Sequence, residues 1–139
     1  MTKSGSVSAS GFLLDANVLI ALTVVEHEHH EVARRWFVDI DGVWLCSLVE
    51  GSLIRFLLRF GESATIARTM LAMLAEDPKV GFVTTSPSYR DVDLDGVRGH
   101  RQVTDVYLAE LAAVQGLRLA TFDRALTALR PAHTVLIPT

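Results

Sequence analysis

The feature that most constrains the fold is an alternation of short apolar runs, three to five residues long, with longer amphipathic segments. The apolar runs predict buried strands, and apolar residues three or four apart in the longer segments predict helices. Short connections between strand and helix favour right-handed βαβ units and a parallel sheet covered on both faces. We therefore predict an α/β fold with strands at Phe12–Leu14, Val43–Cys46, Val80–Thr84, Leu117–Thr121 and Thr134–Ile137, a short helix after the first strand, and further helices at Glu28–Ile40, Ser47–Phe60, Glu62–Glu76, Val103–Gln115 and Asp123–Leu129.

Length and composition limit the class of protein. A chain of 139 residues predicts one domain. Half of its residues are hydrophobic and 21% are charged, which excludes a disordered, collagen-like or coiled-coil chain. Charged residues interrupt every apolar segment before it reaches the roughly 18 to 20 residues that a membrane-spanning helix needs. We expect a flexible Ser- and Gly-containing leader at 1–10 and a single soluble, cytoplasmic domain at 11–139.

Four acids occur in otherwise apolar segments at places that the predicted fold would bring together. Asp15 follows the first strand, Glu50 lies four residues after the second, and Asp123 follows the fourth. The carboxyl ends of parallel strands share one edge of the sheet, where the ligand crevice lies. Asp105 can reach the same edge if the helix leading to the fourth strand begins near it. Clustered carboxylates repel one another unless a cation neutralises them, so the pattern indicates Mg²⁺ or Mn²⁺.

Each acid also has an ordinary structural interpretation. Asp15 and Asp123 are good helix caps, whose carboxylates accept hydrogen bonds from backbone N–H groups. The sequence Ser47-Leu48-Val49-Glu50 matches a capping box. Asp105 would complement a helix dipole. Taken singly, the structural interpretations are the better ones, whereas the four acids taken together favour a metal site.

Four segments that carry these acids resemble the acidic motifs of PIN-domain ribonucleases, and in particular of VapC, the toxin of bacterial VapBC toxin–antitoxin pairs. They are LLDANVLIAL at 13–22, SLVEGSLIRFLL at 47–58, TDVYLAELA at 104–112 and LATFDRAL at 119–126. Their order and spacing match the family over nearly the whole chain from Phe12. The resemblance implies a single PIN domain, with a five-stranded parallel sheet in the order 3-2-1-4-5 flanked by helices.

The resemblance also implies an activity, the metal-dependent hydrolysis of RNA phosphodiester bonds by an endoribonuclease that uses Mg²⁺ or Mn²⁺. We expect Asp15 and Asp105 to hold the principal ion, with Asp123 completing the site directly or through water. Glu50 would position or deprotonate the attacking water. The implied site residues are the acidic quartet Asp15, Glu50, Asp105 and Asp123, and the supporting polar groups Asn17, Ser47, Thr104 and Thr121.

The partners implied by the resemblance are an RNA substrate, a VapB-type antitoxin and a second copy of the chain in a homodimer. The formal charge of −3 is atypical of a nucleic-acid-binding protein, but four metal-bound acids would more than account for the excess. Arg124 and Arg101 are candidates for phosphate contact because each lies near one of the aspartates in sequence. We expect no membrane partner.

Two further signals suggest other chemistry and are weaker. The segment from Glu26 to Glu31 is dense in possible metal ligands, and a helix would place His27 beside His30. No cysteine pair or H-E-x-x-H motif accompanies them, so a solvated helix start is the better interpretation. Cys46 lies in a predicted strand with no histidine nearby in sequence, which is typical of a buried structural thiol.

Rival α/β classes explain the acids less well. A nucleotide-binding domain would need a glycine-rich phosphate loop. The two common patterns, G-x-G-x-x-G and G-x-x-x-x-G-K-[ST], are both absent from the sequence. A receiver domain would carry adjacent acids near the first strand, and a dehalogenase-like phosphatase would carry a second aspartate where Asn17 stands. The alternative that remains is a noncatalytic PIN-like module that binds RNA or protein, and the presence of all four acids argues against it.

Overall fold

The computed structural model describes residues 3–4 and 11–139. Its sheet is parallel throughout, in the order β1-β4-β3-β2-β5-β6. Numbered from Phe12, the last five strands take the order 3-2-1-4-5, which confirms the predicted topology. The strands are β1 (Lys3–Ser4), β2 (Phe12–Leu14), β3 (Val43–Leu45), β4 (Val80–Phe82), β5 (Arg118–Thr121) and β6 (Thr134–Leu136).

The strand β1 was not predicted. Its two residues pair with Gly81 and Phe82 and add a sixth strand at the edge of the sheet. They belong to the segment 1–10 that we interpreted as a flexible leader. The rest of that segment, residues 1–2 and 5–10, lies outside the described residues, so the prediction of a leader is untested there.

The helices cover both faces of the sheet, and their ends lie within two residues of those predicted. α2 begins at His30 rather than Glu28 because the imidazole Nδ1 of His27 accepts a hydrogen bond from the His29 N–H at 3.0 Å, which forms a local turn before the helix. The helices are α1 (Ala16–Thr23), α2 (His30–Asp39), α3 (Ser47–Arg59), α4 (Ala64–Ala75), α5 (Gln102–Val114) and α6 (Arg124–Leu129), with one 3₁₀ turn at Tyr89–Asp91.

Two glycines end the helices on which site residues lie. Gly61 (φ 96°) follows the C-cap of α3, and Gly116 (φ 73°) follows the C-cap of α5. Glycine adopts this left-handed conformation without the steric penalty that a Cβ atom would cause. The positive φ angles explain why the chain leaves each helix at its glycine.

The core lies on both faces of the central strands. Leu13, Trp44 and Leu119 are at most 1% exposed, as expected for parallel strands covered on both sides. Gly11 makes room for the Trp44 ring, because a Cβ atom at Gly11 would lie 2.1 Å from that ring. The helices α1, α3 and α4 pack together, while α5 packs on β5 and β2. None of the helices within the described residues combines the length and apolar character needed to cross a membrane.

The strand register places the candidate site residues at one edge. Leu14 at the end of β2 is level with Ala120 in β5, and Leu45 at the end of β3 is level with Phe82 in β4. The residues that follow these positions therefore leave the sheet at its carboxyl edge, where helices begin.

Candidate active site

Asp15 leaves the end of β2 and is the N-cap of α1. Its side chain is bonded on both oxygens: Oδ1 accepts a hydrogen bond from the Ala16 N–H at 2.8 Å, and Oδ2 accepts one from the Thr121 hydroxyl at 2.6 Å. The residue is only 3% exposed. Burial raises its pKa, and the hydrogen bonds from Thr121 and Ala16 only partly oppose that increase. The cap predicted from sequence is thus present, but it is a buried one.

Thr121 joins Asp15 to a second aspartate. Its hydroxyl is fully buried; it donates to Asp15 and accepts a hydrogen bond from the Asp123 N–H at 3.0 Å. Asp123 is the N-cap of α6, where its Oδ1 accepts from the Leu126 N–H at 3.1 Å. The Thr121 hydroxyl therefore holds the end of β2 next to the end of β5. It also holds Asp15 near Asp123.

Asp105 completes the group from the opposite side. α5 begins at Gln102, so Asp105 occupies its first turn, as the prediction required. Its pKa is raised to about 6, first by burial and then by the negative charges of Asp15 and Asp123. Asp105 and Asp123 also line a cleft of about 40 Å³ between α5 and α6. Three aspartates from three separate elements thus lie near enough to repel one another.

Glu50 is half-buried in the first turn of α3, and burial raises its pKa. The charges of the three aspartates are not among the causes of that rise, so the structure does not join Glu50 to the aspartate group. Burial, and to a smaller extent the charges of Glu50 and Asp15, raise the pKa of the Cys46 thiol. The capping-box interpretation is wrong, because the N-cap of α3 is Cys46 and Ser47 is already inside the helix.

The four predicted supporting groups have different surroundings. Thr121 is central to the aspartate group, as described above. Asn17, in the first turn of α1, has a buried Oδ1 with no hydrogen-bond partner among the described residues. Ser47 and Thr104 are exposed. Of these four, only Thr121 is bonded to an aspartate of the group.

The two arginines predicted to contact phosphate lie beside the aspartates. Arg101 is the exposed N-cap of α5, and Arg124 is the exposed first residue of α6. A third arginine, Arg130, was not predicted to have a role near the site. It is 8% exposed; Nε donates to Glu110 Oε2 at 2.8 Å, and Nη2 donates to the carbonyls of Asp93 (3.0 Å) and Asp95 (2.8 Å).

These bonds give Arg130 a structural position that local sequence does not reveal. The guanidinium follows α6 and holds both α5 and the loop that precedes α5. α5 carries Asp105 in its first turn, and Asp123 is the N-cap of α6. Because its partners are 20 to 37 residues away, no periodicity or short motif could have identified the contact.

The histidine-rich segment makes contacts of a structural kind. The imidazole of His30 bonds to the Ala21 carbonyl at 2.8 Å, and the His29 ring packs against Phe122 at 5.2 Å between centroids. With the His27 bond described above, each of these side chains has a partner at the start of α2. This arrangement supports the interpretation of the segment as a helix start.

The donor set of the aspartate group suits a hard divalent cation. Carboxylate and amide oxygens are ligands that Mg²⁺ accepts, and Mg²⁺ is commonly bound by one or two carboxylates with several waters retained. Across residues 3–4 and 11–139, no three His, Cys, Asp or Glu side chains are placed to hold a metal ion together. The oxygens of Asp15, Asp105 and Asp123 are thus of the kind that Mg²⁺ binds, but the described side chains do not form a ready-made set of three ligands.

Comparisons with known proteins show the family to which the chain belongs. A family model described as PIN domain matches residues 12–130. The chain is 47% identical over 128 residues to ribonuclease VapC29 of Mycobacterium tuberculosis, covering 91% of this chain and 96% of the relative. It is 35% identical to ribonuclease VapC39 of the same species, covering 82% of this chain and 89% of the relative.

A solved structure agrees at the level of the fold. The crystal structure of M. tuberculosis VapC20, described as a sarcin-ricin loop cleaving toxin, matches with a TM-score of 0.60. The match covers 91% of this chain and 99% of VapC20, at 17% identity. With a family model over most of its length and relatives of this similarity, the chain belongs to the PIN-domain family and, within it, to the VapC-type ribonucleases.

Proposed function

We propose that this chain is a Mg²⁺- or Mn²⁺-dependent endoribonuclease that hydrolyses RNA phosphodiester bonds, and that it acts as the toxin of a VapBC pair. One observation carries the proposal: Asp15, Asp105 and Asp123 come from three elements, and the charges of Asp15 and Asp123 add to burial, the larger cause, in raising the pKa of Asp105 to about 6. A fold does not gather like charges without a compensating role, and binding a cation is such a role. Membership of the VapC-type ribonucleases supports RNA as the substrate.

The carboxylates of Asp15 and Asp105 would hold the ion, with Asp123 bound directly or through water. When bound, the ion lowers the pKa of a water molecule and polarises a phosphoryl oxygen. Thr121 keeps the Asp15 carboxylate in one orientation by donating to Oδ2. Glu50, whose pKa is raised by burial, would accept a proton from the attacking water.

The remaining residues of the site would bind and orient the substrate. Arg101 and Arg124 are exposed at the starts of α5 and α6, beside the aspartates. Guanidinium groups bind phosphate oxygens in a bidentate manner, so the two arginines would hold the RNA backbone on either side of the scissile bond.

The proposed partners follow from the same family. We expect a VapB-type antitoxin and a homodimer, because the relatives carry the VapC name and the surface has apolar side chains to cover. Phe60 is 71% exposed, Val25 70% and Met73 66%, all on the side of the molecule formed by α1, α3 and α4. Exposed apolar residues grouped in this way mark interaction surfaces.

The experiment that tests the proposal is incubation of the purified protein with total cellular RNA in Mg²⁺, in Mn²⁺ and in EDTA, with mapping of the new 5′ ends. We expect discrete cuts with either metal and none in EDTA. Asp105→Asn should abolish the cuts, whereas Asp39→Asn, a matched change at an exposed position in α2, should not. Cleavage that continues unchanged in EDTA refutes metal dependence.

The alternative is a noncatalytic PIN-like module that binds RNA or protein. One observation favours this alternative: no three His, Cys, Asp or Glu side chains among the described residues are positioned to bind a metal ion together. It predicts no cleavage of any RNA under any of the three metal conditions, with binding still measurable by gel shift.

A further inference from the structure

A second cavity opens at the same edge of the sheet as the aspartate group. Its volume is about 90 Å³, and it lies between the ends of β3 and β4, the start of α3 and the side of α5. Its rim carries hydroxyl groups, and its walls are apolar or aromatic. The lining includes Ser47, Thr84, Thr85, Ser86, Tyr107 and Leu111.

Tyr107 holds the rim of this cavity in place. Its hydroxyl donates to the Pro87 carbonyl at 2.7 Å and lies 3.2 Å from the Ser86 Oγ. The segment after β4 is thereby fixed against α5. Since the residue is only 3% exposed, the ring of Tyr107 is a rigid wall.

Tyr89 does not line the cavity, but its ring packs on the lining residue Tyr107, with the centroids 4.5 Å apart and the planes inclined by 35°. Unlike Tyr107, Tyr89 is 42% exposed. A partly exposed aromatic ring therefore lies directly behind one wall of the cavity, within reach of a flat group that projects from it.

The strand order sets the distance from this cavity to the aspartates. The cavity lies over β3 and β4, and β3 pairs directly with β2, which ends at Asp15. Neighbouring strands are about 4.8 Å apart, so the cavity is one to two strand spacings from Asp15. A single nucleotide can bridge that distance. A strand of RNA whose phosphate lies at the aspartates can thus place an adjacent base over the cavity.

The chemistry of the lining suits an uncharged, flat group. Among the described residues that line the cavity, none is a lysine, arginine, aspartate or glutamate. A phosphate would therefore find no cation there, whereas a nucleobase needs an apolar wall, hydrogen-bonding groups at its edge and an aromatic face. Exposed hydroxyls at Ser47, Thr84 and Thr85 can donate to or accept from a base edge.

We propose that this cavity is a nucleobase subsite, which receives the base of an RNA nucleotide adjacent to the scissile phosphate. Tyr89 stacks on that base, and Thr84 and Thr85 bond to its edge, so these residues determine which base is accepted. The inference rests on the proposed function, because it takes the aspartate group as the position of the scissile phosphate.

A binding experiment tests the subsite without any cleavage. Amide NMR spectra of the full chain in EDTA would be recorded with each of the four nucleoside 5′-monophosphates and with inorganic phosphate alone. We expect chemical-shift changes at Thr84, Thr85 and Tyr89 that differ between the four bases and that phosphate alone does not reproduce. These changes should be lost in Tyr89→Ala and retained in Tyr89→Phe. No shift at these residues, or the same shifts with phosphate alone, overturns the proposal.

A cleavage experiment then separates the subsite from the activity itself. Short RNAs would carry each base, or an abasic nucleoside, next to the cut bond. We expect Tyr89→Ala to reduce kcat/KM about tenfold on the favoured base, mainly through KM, and to have a smaller effect on the abasic RNA. Thr85→Leu, which blocks the rim, should do the same. Thr69→Val, a change at an exposed position in α4, is the matched control.

The two proposals fail in different ways. If the wild-type protein cuts none of the RNAs, the proposed function is wrong, while the NMR shifts still report on the cavity. If it cuts all bases and the abasic RNA equally well, or if Tyr89→Ala lowers all rates by one factor, the nucleobase subsite is wrong and the endoribonuclease stands.

Discussion

Replacing Asp105 by asparagine removes one charge from the aspartate group and nearly preserves the shape of the side chain. The pKa of Asp105 rises from 3.8 to about 6 in the folded protein, because of burial and the charges of Asp15 and Asp123. That difference corresponds to about 3 kcal/mol of unfavourable free energy for the ionised form. Because the side chain is only half-buried, solvent screening reduces the figure to about 1–2 kcal/mol.

The direction of the effect depends on pH. Between pH 4 and 6 the folded protein binds the Asp105 proton more tightly than the unfolded chain does, so this residue lowers stability progressively as pH rises through that range. Above pH 6 to 7 the whole unfavourable contribution is present. Asparagine carries no charge at any pH, and it therefore gains stability relative to Asp105 only at the higher pH.

One opposing contribution must be subtracted. An aspartate in the first turn of a helix is stabilised by the helix dipole by about 0.3–1 kcal/mol, which Asp105→Asn gives up. A net gain of about 1 kcal/mol remains at pH 7.5 without metal. For a chain of this size we expect Tm to rise by about 4 °C.

Calorimetry of wild type and variant in EDTA at pH 5 and pH 7.5 measures the effect, and Asp91→Asn, an exposed aspartate in the 3₁₀ turn, is the matched control. We expect the gain at pH 7.5 to shrink at pH 5. Saturating Mg²⁺ should stabilise the wild type, by about 2.7 kcal/mol at a hundred times its Kd, and should not stabilise the variant. A variant that is less stable than wild type at pH 7.5, and that keeps its full Mg²⁺ response, refutes the reasoning.

Three further predictions follow from contacts described above. Thr121→Val removes the hydroxyl that donates to the buried Asp15 Oδ2, and it should lower the free energy of unfolding by about 1–3 kcal/mol in urea titrations and reduce cleavage; unchanged stability would contradict the role of that bond. Arg130→Met leaves the Glu110 carboxylate without its buried cationic partner and should lower the free energy of unfolding by about 3–5 kcal/mol. A second change, Glu110→Leu, should restore part of that loss. Equal losses in the single and double variants would count against the ion pair. Light scattering at micromolar concentration should give the mass of a dimer, and a monomer throughout the accessible range would exclude the homodimer.

Much of the fold could be predicted because its determinants are local. Strands such as Val43–Leu45 are continuous apolar runs, helices such as α5 have a regular apolar face, and both patterns can be recognised within a few residues. The parallel order then follows from the alternation of strand and helix. The polar segment after β4 has no such apolar pattern, and it contains the 3₁₀ turn Tyr89–Asp91.

The parts that escaped prediction depend on tertiary contacts. The capping box at Ser47 has the right letters, but the chain begins the helix one residue earlier than that motif requires, with Cys46 as the cap. Arg130 and Tyr107 look like ordinary residues in sequence, and their partners at Asp95 and Pro87 are brought near only by folding. Thr121 could be named as a supporting group from the sequence, whereas the bond from its hydroxyl to Asp15 Oδ2 required the structure.

The bond between Thr121 and Asp15 has a consequence for the order in which the molecule becomes active. The two residues are separated by 106 positions, so the site joins one of the first strands made on the ribosome to the last but one. Contacts of such long range close late, because the chain entropy of a large loop opposes them until neighbouring strands are in place. A growing chain that ends before β5 contains Asp15, Glu50 and Asp105 but neither Thr121 nor Asp123. Under the proposed function, such a chain lacks both the hydroxyl that orients the Asp15 carboxylate and the third aspartate, so we expect it to leave RNA intact until β5 joins the sheet.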